Sequence, residues 1–167
     1  CTYHKLQTEA LALGLKLNLS KCLLAPAART QTQARLAAFP AAVQRCLDGN
    51  FKFLGAPVGD REFCARFTRE KRVDKAKAML ELIPALEDAQ IAHKLLTHCL
   101  GSCRLMYAMR TTRPDWIAPE LVACDAALRE TFETATGLAL SGAQWSQATL
   151  SRKMGGLGLR STTVHAS

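Results

Sequence analysis

The chain has 167 residues, 49% of them hydrophobic, enough for one ordinary domain or two small subdomains around a shared core. Mean hydropathy is close to zero and Gly and Pro are not enriched, which argues against wholesale disorder; no apolar run is long enough for a membrane span, and no signal-peptide pattern opens the chain. The net charge of +8 and a pI near 9.4 favour a polyanionic partner, nucleic acid before an anionic membrane.

The charge is uneven. Residues 1–59 carry seven Lys/Arg against two Asp/Glu, residues 60–113 eleven against seven, and residues 114–167 four against five. A polyanion is therefore expected on the first two thirds, and packing or protein contact on the last. Of seven cysteines, Cys22, Cys46, Cys64, Cys99, Cys103 and Cys124 sit among apolar or alanine-rich neighbours. They read as reduced, mostly buried thiols of an intracellular protein, nucleus or cytoplasm left open. The first residue is Cys1 rather than Met, which reads as a fragment with an upstream part.

In chain order, residues 2–13 read as a helix with Leu6, Ala10 and Leu13 on one side, and Gly14 as its stop. Leu15, Leu17 and Leu19 alternate with Lys16, Asn18 and Ser20, the period of a half-buried strand continuing to Leu24 and ended by Pro26. Ala27–Gln33 is expected as a loop, Ala34–Leu47 as a helix interrupted at Pro40, and Asp48-Gly49-Asn50 as a turn. Phe51, Phe53 and Val58 then form a strand pair around Leu54-Gly55-Ala56-Pro57.

From Asp60, a fitting N-cap, helices are expected. Phe63, Phe67, Val73, Ala76 and Leu80 form the first stripe, broken at Pro84. Asp88 caps the next, with Ile91, Leu95, Cys99, Cys103, Met106 and Tyr107 at helical spacing until Thr111–Pro114. Pro119 is expected to start a helix that Gly137 stops, and a short helix over Ala143–Ser151 carries Trp145. Gly155-Gly156-Leu157-Gly158-Leu159 reads as a packing turn that lets Leu157 and Leu159 reach the core, with Trp145 buried beside it. Without a preceding strand or a following Gly-Lys-Ser/Thr it is not a phosphate loop.

The order of Gly14-Leu15-Lys16-Leu17-Asn18, then Ser20-Lys21-Cys22, then Phe53-Leu54-Gly55, closely resembles reverse transcriptases of non-LTR retrotransposons. So do Leu100–Tyr107 with Arg110, Trp145-Ser146-Gln147-Ala148, and the Gly155–Ser161 segment. The match spans nearly the whole chain, and order and spacing carry it. The resemblance implies an α+β, mostly helical fold. Residues 1–59 would be the end of the palm, with a small antiparallel sheet and a primer-grip hairpin. Residues 60–113 would be thumb-like helices, and residues 114–167 a post-thumb helical segment.

The parent activity so implied is RNA-directed DNA polymerisation with two divalent metals, magnesium, on adjacent palm aspartates. This chain has no Asp-Asp pair, and its six aspartates (48, 60, 74, 88, 115, 125) are scattered. The expectation is a chain that holds a primer–template duplex, binds no cofactor itself and does not polymerise alone. Its other partners would be an upstream palm and fingers, and no membrane. By the resemblance, Lys21 falls on the lysine near the incoming pyrophosphate, where an ammonium can act as general acid. Phe53, Leu54 and Gly55 fall on the primer grip. Arg69, Lys71, Arg72 and Lys75, on a helix that also carries Arg61, Arg66 and Lys77, would track duplex phosphates. The competing readings are a solvated lysine, an ordinary β-turn, and a solvated face interleaved with Glu62, Glu70, Asp74 and Glu81. His93, His98, Cys99 and Cys103 lack the paired spacing of a zinc site. Two further function classes stay open: a non-enzymatic basic helical nucleic-acid-binding module, and a degenerate element without activity.

Overall fold

The computed structural model describes residues 2–25 and 39–166. The strand end at Pro26, the loop at Ala27–Gln33 and the start of the helix expected from Ala34 lie outside the described residues. The chain forms two compact units, Cys1–Phe51 and Lys52–Ser167, so the hairpin tip and β4 group with the helices after them. The fold is α+β and mostly helical, with one antiparallel hairpin and one short parallel pair.

The first unit opens with α1 (Thr2–Ala12). Gly14, at φ 73°, stops it: Gly14 N–H donates to Leu11 and Leu15 N–H to Ala10, which satisfies the last carbonyls in a Schellman turn. Ala10 is half-buried, whereas Leu6 and Leu13 are exposed.

The expected strand over Leu15–Leu24 is mostly absent. Leu19–Lys21 is a 3₁₀ turn, and only β1 (Leu23–Leu24) is extended and paired. Local bonds win here. The Ser20 hydroxyl donates to Asn18 Oδ1, and the N–H groups of Lys21 and Cys22 reach back to Asn18 and Leu19. The described end of the Ala34–Leu47 helix is likewise not helical. Val43 N–H closes a turn on the Pro40 carbonyl, and β2 (Gln44–Arg45) pairs in parallel with β1, Leu23 opposite Gln44. Val43 and Cys46 are buried.

Leading into the second unit, β3 (Phe51–Phe53) and β4 (Ala56–Val58) form the hairpin. Asp60 Oδ1 then accepts from Phe63 N–H at 2.8 Å and caps α2 (Arg61–Thr68). A π turn (Arg69–Val73) follows, closed by Asp74 N–H on the Arg69 carbonyl, and α3 (Asp74–Leu80) continues it. The extra residue shifts the buried stripe to Cys64, Thr68, Val73, Ala76 and Leu80, and leaves Phe63 and Phe67 half-buried at its edge. After a 3₁₀ turn at Pro84–Leu86, the Asp88 carboxylate caps α4 (Ala89–Leu95), accepting from Gln90 and Ile91 N–H.

A second π turn (Leu96–Leu100), Gly101 and a 3₁₀ turn (Ser102–Arg104) lead into α5 (Met106–Thr111). These breaks overturn the expected stripe. Ala92, Leu96, Leu100, Leu105 and Ala108 are buried, whereas Ile91, Cys99, Cys103 and Tyr107 face water. So Cys99 and Cys103 are not buried thiols, unlike Cys46, Cys64 and Cys124. Burial pushes the Cys124 thiol up to about 12, with the charge of Asp125 adding to it.

The spine of this unit is α6 (Pro114–Thr136). It begins five residues before the expected start, with Pro114 in its first turn and Pro119 inside it. Pro119 has no N–H for the Asp115 carbonyl, and Arg61 Nη2 comes to 3.5 Å of that oxygen instead. Near its start Ile117, Leu121 and Cys124 pack with Val73, Leu105 and Met109. Further along, Leu128 and Phe132 pack with Leu80, Leu96, Ala148 and Leu159. Each fully buried Leu or Ile contributes about 1.5–3 kcal/mol.

Gly137 (φ 67°) ends α6, and a Ser141–Gln144 capping box starts α7 (Gly142–Thr149). Of the two leucines expected in the core, Leu159 is fully buried and Leu157 is exposed; Trp145 is half-buried against the core. The last helix, α8 (Thr162–His165), is tied to α6 by Asp125, which accepts hydrogen bonds from Ser161, Thr162 and Thr163. No helix among the described residues is long and apolar enough to cross a membrane.

Candidate nucleic-acid interface

The hairpin turn is the two-residue loop Leu54-Gly55. Both residues have positive φ, 48° and 88°, as in a type I′ turn. Glycine adopts this geometry freely, whereas a leucine there costs roughly 1–2 kcal/mol. Two side chains from the helices brace the strained turn. Tyr107 Oη donates to the Leu54 carbonyl at 2.6 Å, and Arg72 Nη2 donates to the Gly55 carbonyl at 3.2 Å. The Arg72 guanidinium also lies 5.7 Å from the centroid of the Tyr107 ring, a cation–π contact that couples the two braces. The turn is thus fixed while its apolar side chains point into water: Phe53 is 60% and Leu54 82% exposed.

Beside the turn is a cleft of about 260 Å³ lined by Lys71, Arg72, Lys75, Ala76 and Arg104. Four cations and no carboxylate face it. Lys71, Lys75 and Arg104 take part in no ion pair among the described residues. Arg104 is held by its own bonds, from Nε to the Cys99 carbonyl at 3.0 Å and from Nη2 to Met79 Sδ at 3.2 Å. It reaches the cleft because the chain turns sharply at Gly101, where a Cβ would sit 2.5 Å from the Leu96 carbonyl oxygen. Four positive charges converging on one concavity give it a strongly positive potential. The long, periodic helix expected across residues 91–107 hid Arg104, and the one signal against that helix was Gly101.

Three of the basic residues singled out in the sequence, Lys71, Arg72 and Lys75, come together here, next to Leu54 and Gly55. Arg69 does not. Its Nε and Nη2 reach Glu120 Oε1 at 3.3 and 2.8 Å, and the Glu120 side chain is only 2% exposed. The hydrogen bond and the charge of Glu120 raise the Arg69 guanidinium above its ordinary range. Arg66 lies over the Phe63 ring, and Lys77 lines a different cleft with Glu81 and Glu130. Lys21 belongs to the first unit, at the end of its 3₁₀ turn, exposed and without an ion pair among the described residues.

Five of the six aspartates have other work. Asp60 and Asp88 cap helices, Asp48 accepts from Cys46 and Asn50, Asp115 pairs with Arg113, and Asp125 holds α8. Among the described residues no three His, Cys, Asp or Glu side chains are grouped to hold a metal, so the donor set does not fit the metal pair that the resemblance implies. His93 instead bonds the Leu157 carbonyl at 2.9 Å. No family model, curated protein or solved structure matches the chain.

Proposed function

We propose that this chain holds a nucleic-acid duplex, in the manner of the primer-gripping and thumb parts of a reverse transcriptase. In this reading the turn at Leu54-Gly55 presses Phe53 and Leu54 against the sugar–base edge at a recessed primer end. Lys71, Arg72, Lys75 and Arg104 take the adjacent phosphates. The observation that carries the reading is the double role of Arg72, which braces the strained turn and also lines the cationic cleft. A rigid apolar tip beside a phosphate site suits a strand terminus, where backbone charge and an unstacked base edge lie side by side. Lys21 is proposed as a further contact to phosphate. No polymerisation step follows from the residues present.

The test is filter binding of a labelled primer–template duplex with a recessed 3′ end against a blunt duplex, across a salt series. Phe53→Ser/Leu54→Ser is expected to abolish the preference for the recessed end. An unchanged preference removes the grip. It leaves the second reading, a basic helical module that binds duplex without regard to ends. That reading has its own support, because every cation of the cleft is carried by the helical segments and none by the hairpin.

A further inference from the structure

Residues 114–167 are net acidic on average, but the average conceals an arrangement. All five carboxylates lie on α6, at or before Glu133, and residues 134–167 contain Arg152, Lys153 and Arg160 with no Asp or Glu. The structure gathers these three side chains into one place. They line a cleft of about 600 Å³ together with Thr97, His98 and Ser102, and no carboxylate is in the lining. None of the three forms an ion pair among the described residues.

The segment that presents them is pinned. Gly156 N–H donates to the Ser151 carbonyl, Gly158 N–H to Leu150, and Gln147 Nε2 to the Gly155 carbonyl. His93 holds the Leu157 carbonyl, and Leu159 is fully buried. At Gly156 a Cβ would lie 2.2 Å from the Leu150 carbonyl oxygen, so the loop closes this tightly only on glycine. The anchors fix the backbone from which these cations project, so that meeting an anion orders only their side chains.

The position of the cleft names the occupant. Consecutive residues of one 3₁₀ turn divide between two basic clefts: Cys103 lines this one, and Arg104 lines the cleft beside the hairpin. We infer that the Arg152–Lys153–Arg160 cleft is a second phosphate-backbone site for the same nucleic acid, extending its path across the Ser102–Arg104 turn. This rests on the proposed duplex binding, and it assigns to the last third of the chain a role in that binding.

The experiment is fluorescence anisotropy of a labelled RNA–DNA duplex of about 20 base pairs over a salt series, with three forms of the 167-residue chain. They are the unaltered chain, Lys71→Gln/Lys75→Gln, and Arg152→Gln/Lys153→Gln/Arg160→Gln. All substitutions are on the surface, and circular dichroism checks the fold. The triple variant is expected to reduce the slope of log K against log salt by about 2–3, close to 0.9 for each phosphate no longer neutralised. If only Lys71→Gln/Lys75→Gln lowers the slope, the second site falls and the first stands. If the unaltered chain binds no duplex, both fall. If the triple variant loses binding to phosphatidylserine vesicles while its duplex slope is unchanged, the cleft belongs to a membrane surface and the inference is overturned.

Discussion

The phenol of Tyr107 and the carbonyl of Leu54, 53 residues apart, share a 2.6 Å hydrogen bond that fixes the hairpin turn against α5. Leu54 is the only leucine with positive φ among the described residues, and it is held there by this bond and by Arg72 on the next carbonyl. Strain kept by dedicated braces at an exposed turn is what the proposed grip rests on.

Two substitutions separate strain from contact. Leu54→Gly removes the steric cost of positive φ and is expected to leave stability unchanged or raise it by up to about 1 kcal/mol, the gain being offset by unfolded-state entropy. It is also expected to weaken duplex binding, because the apolar tip is gone. Tyr107→Phe keeps the tip and loses the brace, which costs about 0.5–1.5 kcal/mol. Urea unfolding and filter binding measured on both variants give the two effects. A Leu54→Gly chain that binds as well as the parent removes Leu54 from the interface.

The basic helix has two kinds of cation. Arg69→Ala strands the buried Glu120 carboxylate and is expected to lower Tm clearly, with Arg69→Lys intermediate because it loses one of the two bonds. Lys71→Ala, in no ion pair, is expected to leave Tm within about 2 °C while weakening duplex binding. Thermal denaturation followed by circular dichroism, with binding on the same samples, checks this division of labour.

Asp125 makes the attachment of α8 pH-dependent. Partial burial pushes its carboxyl pKa up, but the hydrogen bonds from Ser161, Thr163 and Thr162 outweigh burial and hold it below the usual carboxylate range. With the folded pKa depressed, the contribution to stability is fully present above the unfolded value of about 3.9 and is lost as pH falls through the folded value. Acidification should therefore weaken the hold on α8 progressively from about pH 4 downward, and release it only as pH passes the depressed folded value. Asp125→Ala should do so at neutral pH, at a cost of about 2–4 kcal/mol. Amide exchange at Thr162–His165 is the readout, and protection that persists in the variant would refute it.

Gly156 and Gly142 make a matched pair. A Cβ at Gly156 meets the carbonyls of Leu150 and Gln147 at 2.2 and 2.7 Å, both backbone and unable to yield. Gly156→Ala is expected to cost about 2 kcal/mol or more and to loosen the loop carrying Arg152 and Lys153. At Gly142, in the first turn of α7, a Cβ meets nothing within 4 Å. Gly142→Ala should be neutral, or stabilising by up to about 1 kcal/mol. Chemical denaturation of the two variants compares them directly.

Much of the frame was legible in the amino-acid sequence because the signals are local. Asp60 and Asp88 cap their helices and Gly14 and Gly137 stop theirs, each through bonds spanning five residues or fewer, and Leu54-Gly55 turns the hairpin with positive φ at both positions. The mostly helical α+β class follows from those signals. What tertiary structure alone decided is which charges are available and which faces are buried. Arg69 and Lys71 look alike in a string of basic residues until a glutamate 51 positions away takes one of them. Two π turns and the bend at Gly101 shift the buried stripe, expose Cys99 and Cys103, and carry Arg104 into the cleft. Periodicity assumes an unbroken helix, and the π turns and the bend at Gly101 interrupt it.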